Sequence, residues 1–156
     1  MINIDLLKNH PDSIPRCAEI WYECLGRIWS PDTQLEEIEL WFQEWLNDTV
    51  PLAHIALFND MPIGVCSLQL NDGIRPDLQP WLGDLVVDPL YRNQGVGRRL
   101  IDATKKKAQD FGFKKLYLFT FDSMIPDYYS RLGWRKIGVD EFNEHPVTVM
   151  EIALNQ

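Results

Sequence analysis

Leu82-Gly83-Asp84-Leu85-Val86-Val87-Asp88-Pro89-Leu90-Tyr91-Arg92-Asn93-Gln94-Gly95-Val96-Gly97-Arg98-Arg99-Leu100 is the stretch that decides the reading of this chain. Trp81–Val87 reads as a buried strand that Asp88-Pro89 stops. From Gly95 to about Asp110, Val96, Leu100, Thr104 and Ala108 share one face, the period of a helix. Between strand and helix lies Arg92-x-x-Gly95-x-Gly97. Glycines there let backbone N–H groups approach a ligand without obstruction by a Cβ. The start of a helix adds unpaired donors and about half a positive charge, so the turn is suited to a pyrophosphate. Arg92 and Arg98 add charge-assisted donors.

A dinucleotide-binding turn has the same outline but requires G-x-G-x-x-G and an acidic residue about 20 positions later. Here Leu100 stands where the third glycine belongs, and no Gly-Lys-Ser/Thr phosphate loop is present. Nicotinamide and ATP sites are therefore disfavoured.

Outward from this stretch the elements alternate. Ile14, Cys17, Ala18, Trp21, Cys24, Leu25 and Ile28 predict one amphipathic helix. Leu35, Ile38, Trp41, Phe42, Trp45 and Leu46 predict a second, ending near Asn47. Leu52–Phe58 and Ile63–Leu70 read as a hairpin around Asn59-Asp60-Met61-Pro62, followed by a polar loop, Asn71–Pro80. Lys115–Thr120 is a strand, Ile125–Arg131 a short helix, and Arg135–Val139 and Val147–Leu154 closing strands, with an extra strand expected at residues 2–7. The order α-α-β-β-β-α-β-α-β-β indicates an α/β fold on a mixed sheet. No linker or repeat divides residues 1–156, which read as one domain.

Composition narrows the function classes. The formal charge of −8 argues against a general nucleic-acid binder, which needs a basic face. Residues 1–80 hold 4 Lys and Arg against 13 Asp and Glu, whereas residues 92–115 hold 8 basic against 2 acidic. This asymmetry suits a cationic substrate beside a phosphate-bearing co-substrate. Three cysteines, Cys17, Cys24 and Cys66, without a C-x-x-C pair point to neither a disulfide framework nor a metal site. With no apolar run of about 18 residues and no signal-peptide layout, a cytoplasmic protein that does not span a membrane is expected.

Val86-Val87-Asp88-Pro89 leading into Tyr91-Arg92-Asn93-Gln94-Gly95-Val96-Gly97 resembles the acyl-CoA-binding motif of the GNAT N-acetyltransferase superfamily, Gln/Arg-x-x-Gly-x-Gly/Ala. Tyr128-Tyr129-Ser130-Arg131-Leu132-Gly133-Trp134 is similar to the family's Phe-Tyr-x-x-Leu-Gly-Phe signature. The likeness covers nearly the whole chain and is strongest from 81 to 138. It implies the GNAT fold: a mostly antiparallel sheet, two splayed parallel strands (Trp81–Val87 and Lys115–Thr120) and flanking helices. Acetyl-CoA would lie in the opening between those strands. Backbone groups of Leu85, Val86 and Val87 would hold its pantetheine arm, and Arg92, Asn93, Gln94, Gly95, Val96, Gly97 and Arg98 its pyrophosphate. Lys105-Lys106-Lys107 reads as a solvated helix face, one lysine of which is a candidate for the CoA 3′-phosphate.

The implied reaction is acetyl transfer to a primary amine by direct attack, without a metal. Tyr129 matches the family's general acid for the leaving thiolate, and the Val87 N–H its carbonyl-polarising donor. Tyr128, where the family more often has Phe, reads as packing. Asp84, in phase with Val86, is a candidate base working through water, and its competing readings are an anchor for the substrate ammonium or a strand-end hydrogen-bonding residue; Asp122 is a weaker candidate. His54, His145 and Cys66 read as structural groups. The resemblance places the acceptor near Trp29–Thr33, Trp41, Trp45, Asn71–Pro80 and Asp140–His145, and the acidic first half favours a small cationic molecule or a peptide amine. Two other readings stay open: a non-catalytic acyl-CoA-sensing module, and a transferase acting on aminoacyl-tRNA, which the charge disfavours. Members of the family often form homodimers, and the resemblance implies no more than that for this chain.

Overall fold

The computed structural model describes residues 1–121 and 125–154, with Ile125 described in its backbone alone. Strand β1 (Ile2–Leu6) precedes helix α1 (Ile14–Trp21), a five-residue π-helical segment (Tyr22–Gly26), a short turn of helix α2 (Arg27–Trp29) and helix α3 (Leu35–Gln43). Then come β2 (Leu52–Phe58), β3 (Met61–Gln69), β4 (Trp81–Val87), α4 (Val96–Asp110), β5 (Lys115–Thr120), α5 (Ile125–Arg131), β6 (Arg135–Phe142) and β7 (His145–Ala153). The seven strands form one sheet in the order β1-β2-β3-β4-β5-β7-β6. Every neighbouring pair is antiparallel except β4 and β5. The mixed α/β sheet expected from the element order is the one found.

Both faces of the sheet are covered, which explains why its central strands read as continuous apolar runs. Along β2, Leu52 and Ala56 pack on one side with Leu100, Ile101 and Ala108 of α4. Ala53, Ile55 and Leu57 pack on the other with Ile14, Cys17 and Ala18 of α1 and Ile38 and Phe42 of α3. Alternation of period two thus feeds two cores. The β2–β3 hairpin turns at Asn59 and Asp60, both at positive φ (49° and 69°), which short polar side chains tolerate.

The first helix departs from its expected course. Ile14–Trp21 keep the α period, but the π segment inserts extra backbone, so the apolar row loses register beyond Trp21. Ile28, expected on the buried face, is 44% exposed, and Cys24 is half-buried. The second helix ends at Gln43, four residues short of Asn47, although Trp45 still packs into the core. The closing hairpin is longer than expected, since β6 runs on to Phe142 and β7 begins at His145. Among the described residues no helix is long and apolar enough to cross a membrane.

Candidate active site

The parallel pair β4–β5 touches at one rung only, Trp81 opposite Tyr117, beside a bond from the Tyr117 N–H to the Pro80 carbonyl. Beyond it the strands part, and a cleft of about 1210 Å³ opens between them. That exceeds the ~300–1,000 Å³ of a typical small-molecule pocket and leaves room for two reactants. Leu85, Val86 and Val87 line one side and Leu118, Phe119 and Thr120 the other.

At one end the cleft meets the start of α4. Gly95 caps this helix at φ 78°, in the left-handed region, and Asn93 also takes positive φ (64°), so the turn is a concave run of backbone. Asp88, which the sequence reading took only as a strand stop, holds the turn in place. Its side chain accepts from the Leu90 N–H at 3.0 Å and pairs with Arg16 of α1 at 2.9 Å. Arg92, Asn93, Gly95, Val96, Gly97 and Arg98 all reach the cleft wall; Gln94 is exposed and does not. Arg92 donates to the Val87 carbonyl (3.4 Å) and to Cys24 Sγ (3.3 Å). None of Lys105, Lys106 and Lys107 lines the cleft, and Lys106 pairs with Asp110 on the surface.

Tyr129 of α5 is buried and lines the cleft. Burial, then the neighbouring Cys66 and Tyr128, push its phenol above the ordinary value, so it remains a proton donor across neutral pH. Tyr128, expected to be packing, instead lines the cleft with its hydroxyl 3.8 Å from where a Cβ on Gly97 would lie.

Asp84 owes its position to a bulge. Ser67 of β3 pairs with Gly83 and Val65 with Val86, so two β4 residues oppose Cys66 alone. Asp84 takes φ 54° there, and it is not in simple strand phase with Val86 as the sequence suggests. Three donors converge on its carboxylate: Trp21 Nε1 at 2.9 Å on one oxygen, and Ser67 Oγ at 2.8 Å and Gln69 Nε2 at 3.1 Å on the other. Burial raises its pKa, and the bonds from Ser67 and Trp21 pull it back. Trp21 is therefore a core side chain and an Asp84 partner at once.

The resemblance pointed to the Asn71–Pro80 loop without singling out Asp72, which lines the same cleft and is raised well above the ordinary carboxylate value, first by burial and then by Asp84. Asn71-Asp72-Gly73 carries only a turn signal, and no local pattern reveals that the loop folds back against β4. Trp29, Trp41 and Trp45 all reach the cleft, as do Phe142 and Asn143 from the 140–145 segment. His54 is buried and pushed down to about 4 by desolvation, hence uncharged. Burial pushes Cys66 up to about 12. His145 packs its ring on Trp29. Asp122 lies outside the described residues. Among those described, no cluster of His, Cys, Asp and Glu is placed to hold a metal ion.

A sheet split at one parallel pair, with a helix N-terminus at the mouth of the split, defines a fold that binds an extended phosphate-bearing co-substrate. The chain belongs to the acetyltransferase (GNAT) family, which matches residues 14–134. The enzyme class and the acetyl-CoA co-substrate expected from the sequence agree with that membership. The fold is similar to that of an aminoglycoside 6′-N-acetyltransferase complexed with coenzyme A (TM-score 0.74, 18% identity, 100% of this chain and 98% of that one). It is also similar to that of yncA from Salmonella typhimurium with its cofactor acetyl-CoA (0.79, 13%, 100% and 95%). A third likeness is the ribosomal-protein-S18-alanine N-acetyltransferase from Escherichia coli (0.73, 17%, 100% and 96%). No curated protein matches the sequence.

Proposed function

We propose that this chain transfers the acetyl group of acetyl-CoA to a primary amine of a small cationic molecule or peptide, by direct attack within the β4–β5 cleft. The observation that carries this reading is the placement of Tyr129 and Asp84 in one cleft that also receives the glycine-lined start of α4. The co-substrate supplies an activated thioester. The amides at Gly95, Val96, Gly97 and Arg98 face its pyrophosphate and Leu85–Val87 its pantetheine arm, while the Val87 N–H polarises the thioester carbonyl. Tyr129 gives its proton to the departing thiolate. Asp84, oriented by Trp21, Ser67 and Gln69, takes the proton of the attacking amine through water.

An amine with pKa ~10.4 is neutral in only about one molecule in 10³ at pH 7, so deprotonation is a necessary part of the work. The buried Cys17 and Cys66 thiols are held protonated, pushed up to about 12, which argues against an acyl-enzyme on either. Three free cysteines suit a reducing cytoplasm, and the net charge of −8 suits a cationic acceptor better than RNA.

The deciding experiment is thiol release from acetyl-CoA against polyamines, aminoglycosides, amino acids and N-terminal peptides, with calorimetric CoA binding alongside. Acceleration by one amine class supports the transferase reading and identifies that class. CoA binding without turnover on any acceptor would replace it with the sensing module. A further prediction concerns pH. Activity should fall as pH drops through the raised Asp84 value, and Asp84→Asn should lower kcat by ~10- to 10²-fold and shift that acidic limb. An unmoved limb would remove Asp84 as the base.

A further inference from the structure

The cleft has two chemically distinct ends. Its arginines, Arg92 and Arg98, belong to the turn before α4 and to the first turn of that helix. The other end carries Asp72 and Asp84 beside Trp29, Phe119, Phe121 and Phe142, with no Lys, Arg or His among the lining side chains there. Asp72 is placed by Gly83. A Cβ on that glycine would stand 2.8 Å from Asp72 Oδ2 and 3.3 Å from its Cγ, so the missing side chain is what seats the carboxyl one residue from the Asp84 bulge. The aromatic wall holds the loop there as well: Gly73 lies under the Phe142 ring, Ile74 is buried, and Trp81 Nε1 donates to the Leu78 carbonyl at 2.8 Å.

The two carboxyls are not equivalent. Asp84 accepts three bonds from the protein, two on one oxygen and one on the other, leaving about one acceptor position, which the water of the proposed proton transfer fills. Asp72, deep in the wall and opening on the cleft, receives no hydrogen bond from any described side chain, and the one arginine of its own loop, Arg75, is engaged bidentately by Asp77. Burial and the neighbouring Asp84 favour its neutral form while the cleft is empty, and a cationic donor brought by the substrate meets its open acceptor positions and draws it to the carboxylate. That cation is not the reacting amine, because a carboxylate in direct contact with an ammonium stabilises the protonated, non-nucleophilic form.

From these features we infer that Asp72 seats a second ammonium group of the acceptor, so that the preferred acceptor is a diamine whose apolar spacer lies along the aromatic wall. This rests on the transferase reading and adds a specificity residue to it. One amine points toward the thioester with Asp84 behind it; the other pairs with Asp72. The surrounding rings contribute cation–π attraction and exclude water from the pair.

The test compares α,ω-diaminoalkanes with n-alkylamines of equal chain length, in wild type and in Asp72→Asn, by kcat/KM and by calorimetric binding to the CoA-loaded protein. Wild type should prefer diamines by about 30-fold, the range of a hydrogen bond to a charged partner. Asp72→Asn should reduce that preference to within about threefold, mainly through KM. CoA affinity retained in the variant shows that the fold is intact. Wild type handling monoamines as well as diamines, or a preference that survives Asp72→Asn, would overturn the inference. Diamine binding that depends on Asp72 without any turnover would uphold the seat and sink the transferase reading instead.

Discussion

Gly97→Val is expected to weaken acetyl-CoA binding by ~10²-fold or more while leaving the empty protein folded. A Cβ at Gly97 meets only the Tyr128 hydroxyl and Val87 Cγ2, both at 3.8 Å, an ordinary contact distance. Gly97 is also the second residue of α4, where valine is a better helix former than glycine. The variant should therefore melt within a few degrees of wild type, since the added Cβ meets only ordinary contacts and the helix propensity improves. Its two added methyl groups beyond Cβ occupy the wall where the proposal places the pyrophosphate, and they keep its oxygens from the amides of the first turn. Gly95→Val makes an instructive contrast. No atom lies within 4 Å of its Cβ position, yet φ 78° is a left-handed conformation, costing a branched residue about 1–2 kcal/mol. That variant should lose stability as well as affinity. Calorimetry and thermal melts on the two proteins separate the effects, and tight CoA binding by Gly97→Val would dismiss the cradle.

Tyr129→Phe should lower kcat by ~10²-fold or more with CoA affinity nearly unchanged. The substitution removes one oxygen from a buried ring, and no described side chain or backbone group is hydrogen-bonded to that hydroxyl. Little stability should be lost with it. At ordinary values, a phenol of pKa ~10 protonating a thiolate of pKa ~8.5 is uphill by about 2 kcal/mol. Burial raises the phenol further, but the same dry surroundings destabilise the nascent thiolate, so the two shifts oppose each other. Tyr128→Phe, which changes a half-solvated hydroxyl beside Gly97, should cost far less in kcat. Equal effects from the two tyrosines, or an unchanged rate in Tyr129→Phe, would return the proton-donor role to water.

The stretch from Leu82 to Leu100 made the central strand, the turn and the helix legible, because each is encoded locally: an apolar run, Asp88-Pro89, then glycines ahead of a 3.6-residue period. The family followed from the same residues together with Tyr128–Trp134. What stayed hidden depends on contacts between distant segments. The Asp84 bulge needs β3 to be one residue short at Cys66, and the Trp21 bond crosses 63 positions of sequence. Asp72 looks like any turn aspartate until its loop is laid over Gly83. The π segment was invisible for another reason: Cys24, Leu25 and Ile28 keep a helical spacing on paper, but added backbone turns them toward the cleft, leaving Cys24 and Leu25 at the margin of the core and Ile28 exposed.

A sheet that parts in its middle has an edge where most sheets have none. Beyond the Trp81–Tyr117 rung, the facing main-chain groups of β4 and β5 have no partner strand, so an extended molecule entering there acts as a missing strand. Whatever occupies the gap binds only the folded chain, and its concentration adds to folding free energy as RT ln(1 + [L]/Kd). At a hundredfold excess over Kd, that is about 2.7 kcal/mol. The melting temperature is then set partly by co-substrate supply, and amide exchange along β4 should slow as the gap fills. Starved of its thioester, the same protein presents an interior strand edge to other chains, so catalytic readiness and resistance to aggregation rise and fall together.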